Sequence, residues 1–359
     1  MENHKTPKSL GFRMPAEWEK HEGTWLTWPK DPITWPDRVP QVEEIYLEMI
    51  YWISQGEKVF LLVDDIATQE KVLNRLQIKR TNLKNVICHV IPTVDSWIRD
   101  YGPNFLVREI GNKKELAFNH WIFNAWGGKY AELMEDTKIP EKISSFLKIP
   151  VFKPGLVLEG GSIDVNGAGT CLTTKQCLLN PKRNPQLNQN QIEDSLKEYL
   201  GVNKVIWLEE GIVGDDTDGH IDDIARFVNP TTVVCAVSED SLDENYEILE
   251  TNFEILRKAT DQDGKPLTVV TLPMPGKLEG KEGRLPASYA NFYIANNVVL
   301  VPTFQKKSAS VPVNNDARAL NILKELFPDR KVVGIDCKDL VWGLGAIHCV
   351  TQQQPALIG

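Results

Sequence analysis

The sequence predicts an α/β protein in which about five units of one kind close into a ring. Two observations indicate this fold class: apolar strand pairs joined by asparagine-containing turns recur along the chain, and helical segments and further buried strands lie between them. Units that each bury only one face must pack against their neighbours. For a chain of 359 residues, a ring of such units is more economical than two unrelated domains, so we expect residues 1–359 to form a single domain.

Three hairpins are predicted from apolar strands on either side of an asparagine turn: SIDVNGAGTCLTT, IARFVNPTTVVCAV and NFYIANNVVLVPTF. Their turn residues are Asn166, Asn229 and Asn296, which are 63 and 67 residues apart. Asn-Gly between alternating apolar residues is a strong hairpin signal, and Asn-Pro and Asn-Asn are weaker ones. A fourth hairpin, PNFLVREIGNKKELAFNHW, is expected to turn at Gly111 and Asn112.

Helices and buried strands are predicted around these hairpins. Apolar residues recur at helical spacing in segments 45–53, 192–199, 246–256 and 320–327. Asp243 and Asp316 are expected to cap the last two helices. Short apolar runs typical of buried strands occur at KVFLLV, NVICHVI, KVIWL, LTVVTL and KVVGI. The unit is therefore helix, strand, polar segment and hairpin, with a period of roughly 50–70 residues.

The composition is that of an ordinary globular protein, with 42% hydrophobic and 25% charged residues. A net charge of −9 and a pI near 5.3 exclude the basic surface of a nucleic-acid-binding protein. No stretch reaches the roughly 18 apolar residues of a membrane span, and residues 1–14 lack the apolar core of a signal peptide. We therefore expect a cytoplasmic protein with neither nucleic-acid nor membrane partners.

Polar segments occupy matching places in the repeats, just before or at the start of a hairpin. They contain Asp100 in SWIRDYGP, Glu159 in LEGGS, His220 and Asp222 in DDTDGHIDD, and Cys349 in GAIHCVTQQQP. In a ring of units, these matching ends converge. A thiolate is a strong nucleophile at neutral pH, particularly beside a histidine. Several carboxylates beside it would raise the pKa of the thiol unless a cation lay between them.

A guanidinium ion is a cation that fits such a set of residues. It is planar, stays protonated at ordinary pH and offers five N–H donors in a fork that suits carboxylates. Attack on its central carbon requires the ion to be held in a plane with a nucleophile above it. The set therefore indicates guanidino-group chemistry. The other five cysteines are expected to be buried free thiols in a reducing compartment.

A metal ion is the alternative ligand for this set. His220 and Asp222 would share one face of a strand, and His348 or Cys349 would complete a zinc site. The sequence offers no second clear ligand pair. A calcium loop also fails in DDTDGHIDD, because glycine and alanine stand where carboxylates are required. We therefore expect neither a metal nor an organic cofactor.

Six ordered motifs resemble those of the agmatine deiminase family, whose relatives include the bacterial peptidylarginine deiminases. The motifs are MPAEWEKHEGTWLTWP, DSWIRDYGP, LEGGSIDVNGAGT, CLLNPKRNP, DDTDGHIDD and IHCVTQQQP, and they run through nearly the whole chain. The resemblance implies a pentein fold, which is a five-bladed α/β propeller of pseudo-repeats around a central active site. It also implies hydrolysis of agmatine to N-carbamoylputrescine and ammonia through a covalent amidino-cysteine intermediate, without a cofactor.

The resemblance further implies roles for five candidate catalytic residues. Cys349 is expected to be the nucleophile, and His220 the general acid that protonates the leaving amine and then the base that activates water. Asp100 and Asp222 are expected to hold the guanidinium nitrogens. Glu159 is expected to support His220.

The substrate itself depends on residues around this set. The resemblance implies that Trp97 packs along the aliphatic arm of the substrate and that Asp216 meets its distal amine. Two positions depart from the family pattern: residues 343–346 read Gly-Leu-Gly-Ala where GGGN is usual, and Asn166 replaces an Asp. The Asn166 change keeps the turn chemistry, whereas the change at 343–346 alters the surroundings of Cys349.

Other functions remain open at the level of sequence. They are deimination of free or peptidyl-arginine, transfer of the amidino group to an amine, and binding by a non-catalytic pentein. The sequence contains no obvious Arg pair for an α-carboxylate, which disfavours arginine. Retention of all five candidate catalytic residues disfavours a binding protein. The expected partner is a small cationic guanidine, and a homodimer is the default assembly of a soluble enzyme.

Overall fold

A computed structural model describes residues 5–111, 113–281, 283–305 and 314–357. Within these ranges lie nine α-helices: α1 (Val39–Ile53), α2 (Ile66–Ile78), α3 (Ile98–Tyr101), α4 (Ala125–Gly128), α5 (Ile139–Leu147), α6 (Lys175–Leu178), α7 (Gln189–Leu200), α8 (Tyr246–Lys258) and α9 (Asn315–Leu326). None of these described helices is both long and apolar enough to cross a membrane.

The same ranges contain 18 β-strands. They are β1 (His21–Thr27), β2 (Lys58–Val63), β3 (Val86–Val90), β4 (Asn104–Ile110), β5 (Lys113–Asn119), β6 (Val151–Phe152), β7 (Asp164–Val165), β8 (Thr170–Thr174), β9 (Lys204–Leu208), β10 (Ala225–Asn229), β11 (Thr232–Val237), β12 (Thr268–Pro273), β13 (Glu279–Gly280), β14 (Gly283–Arg284), β15 (Tyr293–Ile294), β16 (Val298–Thr303), β17 (Lys331–Asp336) and β18 (Gln352–Pro355).

Five sheets share one plan, an antiparallel strand pair with a parallel strand added to it. Four follow chain order: β4-β5-β6, β7-β8-β9, β10-β11-β12 and β15-β16-β17. In the fifth, β18 is antiparallel to β1, and β2 and β3 extend the sheet in parallel. The last strand of the chain therefore completes the first sheet, and the mixed α/β class with repeating units is confirmed.

The elements expected from local pattern are present. The predicted hairpins are β4-β5, β7-β8, β10-β11 and β15-β16, although Asn112 in the first turn lies outside the described residues. The five apolar runs form β2, β3, β9, β12 and β17, and the four amphipathic segments lie in α1, α7, α8 and α9. Asn166 keeps the turn chemistry expected of it, since its Oδ1 accepts backbone N–H groups of residues 168–170.

The two predicted helix caps are wrong. The residue at the N-cap position of α8 is Asn245, so the helix begins two residues later than it would with Asp243 as its cap. The Asp243 carboxylate instead pairs with Arg284. Helix α9 is capped by Asn314, while Asp316 lies in its first turn and accepts backbone N–H groups of residues 304 and 305. Both carboxylates bind groups distant in sequence, although Asp243 Oδ1 also accepts the backbone N–H of Asn245 at 2.8 Å. A helix-start pattern does not reveal the distant partners.

The polar segments enter the sheets at matching places. Helix α3 precedes β4, a 3₁₀ turn at Gly160–Ser162 precedes β7, and another at Ile221–Asp223 precedes β10. The two 3₁₀ turns contact each other, and the first also contacts α3. Short turns of this kind let side chains project from successive strand ends toward one region, where the candidate site lies.

Candidate active site

Gly161 lies at the centre of the candidate site. A Cβ atom added there would be 2.5 Å from His220 Nδ1, 3.0 Å from Asp100 Oδ1 and 3.2 Å from Asp222 Oδ2. Asp100 precedes β4, His220 and Asp222 precede β10, and Gly161 precedes β7. The group is therefore assembled from three different sheets. The imidazole and two carboxylates thus converge on one point, and the absence of a side chain at residue 161 makes this approach possible.

Asp100 is held by two donors at the end of α3. The backbone N–H of Gly161 donates to its Oδ1 and Trp126 Nε1 donates to its Oδ2, both at 2.9 Å. Burial raises the pKa of Asp100, and although His220 opposes this shift, the neighbouring carboxylates of Asp222 and Glu159 add to it. A bound cation would relieve this mutual repulsion.

His220 is a buried imidazole surrounded by carboxylates. Its Nδ1 lies 3.8 Å from Asp100 Oδ1 and its Nε2 lies 4.0 Å from Glu159 Oε2. Burial alone would lower the pKa of His220, but Asp100, Asp222 and Glu159 outweigh it, so the pKa is raised. Within the described part of the chain, Nε2 has no hydrogen-bond partner.

The shared strand face that a zinc site would have required of His220 and Asp222 is absent. His220 stands immediately before the 3₁₀ turn Ile221–Asp223, and strand β10 begins only at Ala225. A cluster of turn-forming residues precedes His220, with Asp218 and Gly219 at positive φ. The two side chains nevertheless face the same point, beside Gly161.

Glu159 is oriented by an arginine that the sequence interpretation missed. Arg183 Nε donates to Glu159 Oε1 at 2.7 Å, and its NH1 donates to Asp218 Oδ2 at 2.9 Å. Both Glu159 and the Arg183 side chain are fully buried. Arg183 belongs to the motif CLLNPKRNP, and the position of that motif in the chain was the only sequence signal that the residue has a role in the site. This pairing turns the second carboxylate oxygen of Glu159 toward His220.

Cys349 lies in the turn that leads into β18 and is 8% exposed. Its Sγ accepts a hydrogen bond from Asn291 Nδ2 at 3.1 Å and lies 3.7 Å from Asp222 Oδ2. Burial raises the pKa of Cys349 well above its usual value, and the carboxyl groups of Asp222, Asp223 and Asp100 raise it further. Without a cation nearby, the group is therefore a neutral thiol at pH 7.

Asp222 is fixed from behind by His348, which was considered only as a zinc ligand, and by Glu17, which was not predicted as a site residue. His348 Nδ1 lies 2.7 Å from Asp222 Oδ2, and its Nε2 lies 2.8 Å from Glu17 Oε2. Burial, the largest influence, opposes ionisation of Asp222, but the hydrogen bond from His348 and the nearby His220 and Arg226 together outweigh it and lower its pKa. Within the described residues, Asp222 Oδ1 has no partner, so it is free to accept a ligand N–H.

Glu17 anchors this arrangement in the N-terminal motif. Arg226 NH2 lies 2.9 Å from Glu17 Oε2, and Arg99 NH2 lies 3.5 Å from the same atom. Burial alone would raise the pKa of Glu17, but Arg226, His348 and Arg99 reverse the shift and lower it. The carboxylate is therefore ionised, and its Oε2 is approached by two arginines and by the His348 imidazole.

Trp97 lies close to Cys349 across Gly345. A Cβ atom at Gly345 would be 2.5 Å from the Trp97 ring and 3.1 Å from Cys349 Cβ. The indole Nε1 donates to Asp95 Oδ2 at 2.9 Å, which fixes the ring. Leu344, within the departure at 343–346, has φ +69°, a left-handed conformation that costs a non-glycine residue about 1 kcal/mol.

Asp216 lies at the margin of this group. Tyr130 donates its hydroxyl proton to Asp216 Oδ2 at 2.6 Å, and Lys129 Nζ lies 3.4 Å from Oδ1. Lys129 also pairs with Asp218, which binds Arg183. The structure therefore brings the other six predicted residues into one buried cluster and connects Asp216 to that cluster through charged side chains.

One group in the described residues has the geometry to hold a metal ion. Glu159, Cys177 and His220 each offer a ligand atom, and these atoms lie within 4.8 Å of one another. This differs from the zinc set considered above, because His348 is instead bonded to Asp222 and Glu17. Arg183 already supplies a positive charge to Glu159, and this opposes a second cation beside it.

The repeated α/β sheets and the buried thiol, imidazole and carboxylates at their strand ends define the class, an α/β protein with a candidate cysteine-type active site. The family model of the Porphyromonas-type peptidyl-arginine deiminases matches residues 13–355. The chain belongs to this family.

Relatives match the chain from end to end. An agmatine deiminase from Medicago truncatula is 39% identical over 386 residues, covering 99% of this chain and all of that protein. The solved structure of agmatine deiminase of Enterococcus faecalis is 35% identical with a TM-score of 0.90, covering 99% of both chains. An agmatine deiminase variant from C. jejuni, solved with substrate bound, is 32% identical with a TM-score of 0.84, covering 97% of both.

Proposed function

We propose that this protein is an agmatine deiminase, which hydrolyses agmatine to N-carbamoylputrescine and ammonia. The observation that carries the proposal is the convergence of Asp100, His220 and Asp222 at Gly161, with the sulfur of Cys349 3.7 Å from Asp222. Two carboxylates, an imidazole and a thiol in one buried space repel extra negative charge and favour a cation. A guanidinium satisfies both carboxylates through its N–H groups and offers an electrophilic carbon to sulfur.

In the first step, the bound guanidinium lowers the pKa of Cys349 by offsetting the nearby carboxylates, and the thiolate forms a bond to the guanidino carbon. The bond between that carbon and one terminal nitrogen then breaks. His220 supplies the proton that lets this nitrogen leave as ammonia. The products of the step are free ammonia and an amidino-cysteine in which Asp100 and Asp222 hold the remaining nitrogens.

In the second step, His220 takes a proton from water, and the resulting hydroxide attacks the amidino carbon. The carbon–sulfur bond breaks and the new hydroxyl group loses its proton to solvent, which regenerates the Cys349 thiolate and releases the neutral ureido product. Glu159 acts as a positioning residue for His220, because Arg183 fixes one of its oxygens and the other faces His220 Nε2 at 4.0 Å. Trp97 packs along the aliphatic arm, and Asp216 receives the distal ammonium.

Agmatine is favoured over free arginine because the buried arginines of the protein are already paired with carboxylates. Arg99 and Arg226 pair with Glu17, and Arg183 pairs with Glu159 and Asp218. A substrate α-carboxylate would have to displace one of these carboxylates to find a guanidinium partner. Agmatine has no carboxylate and requires no such exchange.

We infer that the five sheets of common plan form a closed five-bladed propeller, the pentein architecture. The pairing of β18 with β1 supports it, because the two ends of the chain meet in one sheet. We further propose that residues 1–359 form a single catalytic domain that acts in the cytoplasm as a homodimer. Analytical ultracentrifugation of the full chain tests the assembly.

The test of function is turnover of three guanidines: agmatine, free arginine and a peptidyl-arginine. The purified protein is incubated with each, and both ammonia and ureido product are measured. Agmatine is expected to give both products in equal amounts, with kcat/KM at least a hundredfold above that for arginine. Turnover of arginine or peptidyl-arginine alone would reassign the substrate, and no product from any guanidine would refute the enzyme.

The nucleophile is tested with a matched pair of cysteine variants. Cys349→Ala is expected to abolish turnover, whereas Cys88→Ala, at a half-buried thiol in β3, is expected to retain it. In the unaltered enzyme quenched with acid during turnover, peptide mass mapping is expected to detect one amidino group on Cys349. Full activity of Cys349→Ala would refute the covalent mechanism even if agmatine were the substrate.

A further inference from the structure

Segment 124–130, which follows β5 and contains α4, binds a carboxylate at each end of the proposed substrate site. Trp126 Nε1 donates to Asp100 Oδ2 at 2.9 Å, and the Tyr130 hydroxyl donates to Asp216 Oδ2 at 2.6 Å. Asp100 is proposed to hold the guanidinium of the substrate, and Asp216 its distal ammonium. One short segment therefore connects the groups that bind the two charged ends of the substrate.

The two aromatic residues of this segment are also in contact with each other. The rings of Trp126 and Tyr130 pack edge to face, with their centroids 5.9 Å apart and an angle of 85° between their planes. Phe123 packs against the other side of the pair, at 5.2 Å and 87° from the buried Trp126 ring. Edge-to-face packing is a favoured arrangement of aromatic rings. A continuous path of contacts therefore runs from Asp100 through both rings to Asp216.

The backbone that carries these rings is held in one conformation. Residues 125–128 all have positive φ, between +53° and +85°. Asn124 closes the turn, because its Oδ1 accepts the N–H of Gly127 and its carbonyl accepts that of Gly128, both at 2.8 Å. Its Nδ2 also donates to the carbonyl of Lys182 at 2.9 Å. Left-handed backbone at non-glycine residues persists where the surroundings fix it, and it is concentrated at functional sites.

Lys129 holds the other oxygen of Asp216 and the backbone beside it. Its Nζ lies 3.4 Å from Asp216 Oδ1, donates to the Asp216 carbonyl and lies 2.9 Å from Asp218 Oδ1. The Asp216 side chain is nevertheless 33% exposed, so a ligand can reach it. A carboxylate has about four acceptor positions, and Tyr130 and Lys129 each occupy one. Acceptor positions therefore remain for the ammonium of a substrate.

We propose that Tyr130 and Lys129 are positioning residues that determine substrate length. They fix Asp216 at a set distance from Asp100, so the site selects an aminoalkylguanidine with four methylene groups between its charged ends. This inference rests on the proposed function, since it takes Asp216 as the partner of the distal ammonium. A homologue with one methylene more or fewer would lose its ion pair with Asp216 or hold its guanidino carbon away from Cys349, and such misplacement slows the reaction.

The experiment compares kcat/KM of the full chain for agmatine, for its homologues with three and five methylene groups, and for butylguanidine, which has no ammonium group. In the unaltered enzyme, agmatine is expected to exceed each homologue by about 10–200-fold. Tyr130→Phe removes the hydroxyl and keeps the ring, and Lys129→Met removes the charge. Both are expected to lower the preference for agmatine over its homologues about tenfold. In Tyr130→Phe, kcat/KM for butylguanidine should stay within twofold, because this substrate forms no ion pair with Asp216.

Lys197→Met provides the matched control. Lys197 is a lysine of similar exposure that pairs with Glu193 on α7, at 2.8 Å. Its variant is expected to leave every ratio between substrates unchanged. Equal kcat/KM for the three lengths in the unaltered enzyme would overturn the proposal without any variant. An equal loss for all four guanidines in Tyr130→Phe and Lys129→Met would overturn it as well, since that is the result of a structural role alone.

A binding measurement separates this inference from the proposed reaction. If the unaltered protein turns over none of the guanidines, the proposed function fails, and length selection is decided by calorimetry on Cys349→Ala with agmatine and its two homologues. Binding of agmatine at least tenfold tighter than both homologues would uphold the roles of Tyr130 and Lys129, and equal binding would overturn them. Turnover of agmatine with equal kcat/KM for all three lengths would uphold the proposed reaction and refute length selection.

Discussion

Substitution of Gly161 by alanine tests the geometry of the candidate site at its centre. The added Cβ would lie 2.5 Å from His220 Nδ1, whereas carbon atoms in ordinary contact are about 3.5 Å or more from their neighbours. The imidazole must therefore move by about 1 Å. Asp100 Oδ1 and Asp222 Oδ2, at 3.0 and 3.2 Å, must move by smaller amounts.

A displacement of 1 Å in a catalytic group costs about a hundredfold in rate. We therefore expect Gly161→Ala to lower kcat/KM for agmatine about a hundredfold, measured as ammonia release. The backbone at Gly161 has no positive φ, so alanine adds no conformational strain. The loss of stability should stay within the roughly 1–3 kcal/mol of an overpacked site, measured by urea unfolding.

Gly276→Ala is the control, because a Cβ there would meet no atom within 4 Å and the residue has no positive φ. It is expected to leave both activity and stability unchanged. Alkylation of Cys349 should also be little affected in Gly161→Ala, since the new methyl group contacts the imidazole and carboxylates. If Gly161→Ala kept activity within threefold of the unaltered enzyme, the convergence of these side chains on one point would be wrong.

Three further predictions follow from the charged groups. The raised pKa of Cys349 predicts that iodoacetamide alkylates it slowly at pH 7 and about tenfold faster per pH unit up to pH 9, and an earlier plateau would contradict this. Glu17→Gln should cost about 3–5 kcal/mol in urea unfolding, since it leaves buried arginines unpaired, whereas Glu254→Gln at an exposed pair should change little. Burial raises the pKa of Asp95 to about 7, so the folded state binds an extra proton between about pH 4 and 7, and stability falls as pH rises through that window. Asp95→Asn should reduce this fall in unfolding free energy by up to roughly 4 kcal/mol. The prediction would be refuted if the unfolding free energy differed between pH 4.5 and pH 8 by the same amount in the variant as in the unaltered protein.

Much of the site could be predicted because its reactive side chains occur at equivalent positions of the repeating units. Asp100, Glu159 and His220 each stand before a hairpin that local turn signals reveal, and Cys349 stands before the last strand of the chain. Asn291 stands at an equivalent place, at the first residue of NFYIANN, and the same rule would have selected it. It was missed because an asparagine beside apolar residues has no distinctive chemistry until its neighbour in space is known.

The remaining residues of the site could not be found by any local rule. Glu17 and His348 are 331 residues apart in sequence and 2.8 Å apart in space. Arg183 is a basic residue in a turn, and only the fold places it on Glu159. A charge pair indicates a role in the site only when its burial is known, because the energy of the pair depends on the solvent around it.

The sequence by itself determined the class of fold, the hairpins and helices of its repeating unit, and the thiol, imidazole and carboxylates that line the site. Periodicity, turn chemistry and the order of motifs are local properties, so they can be recognised before the chain is folded. Tertiary structure alone decided the pairing of β18 with β1, the 3₁₀ turn that orients Asp222, and the links from Glu17 through His348 to that carboxylate. These depend on which distant groups are removed from water together, and burial of that kind is a property of the whole chain.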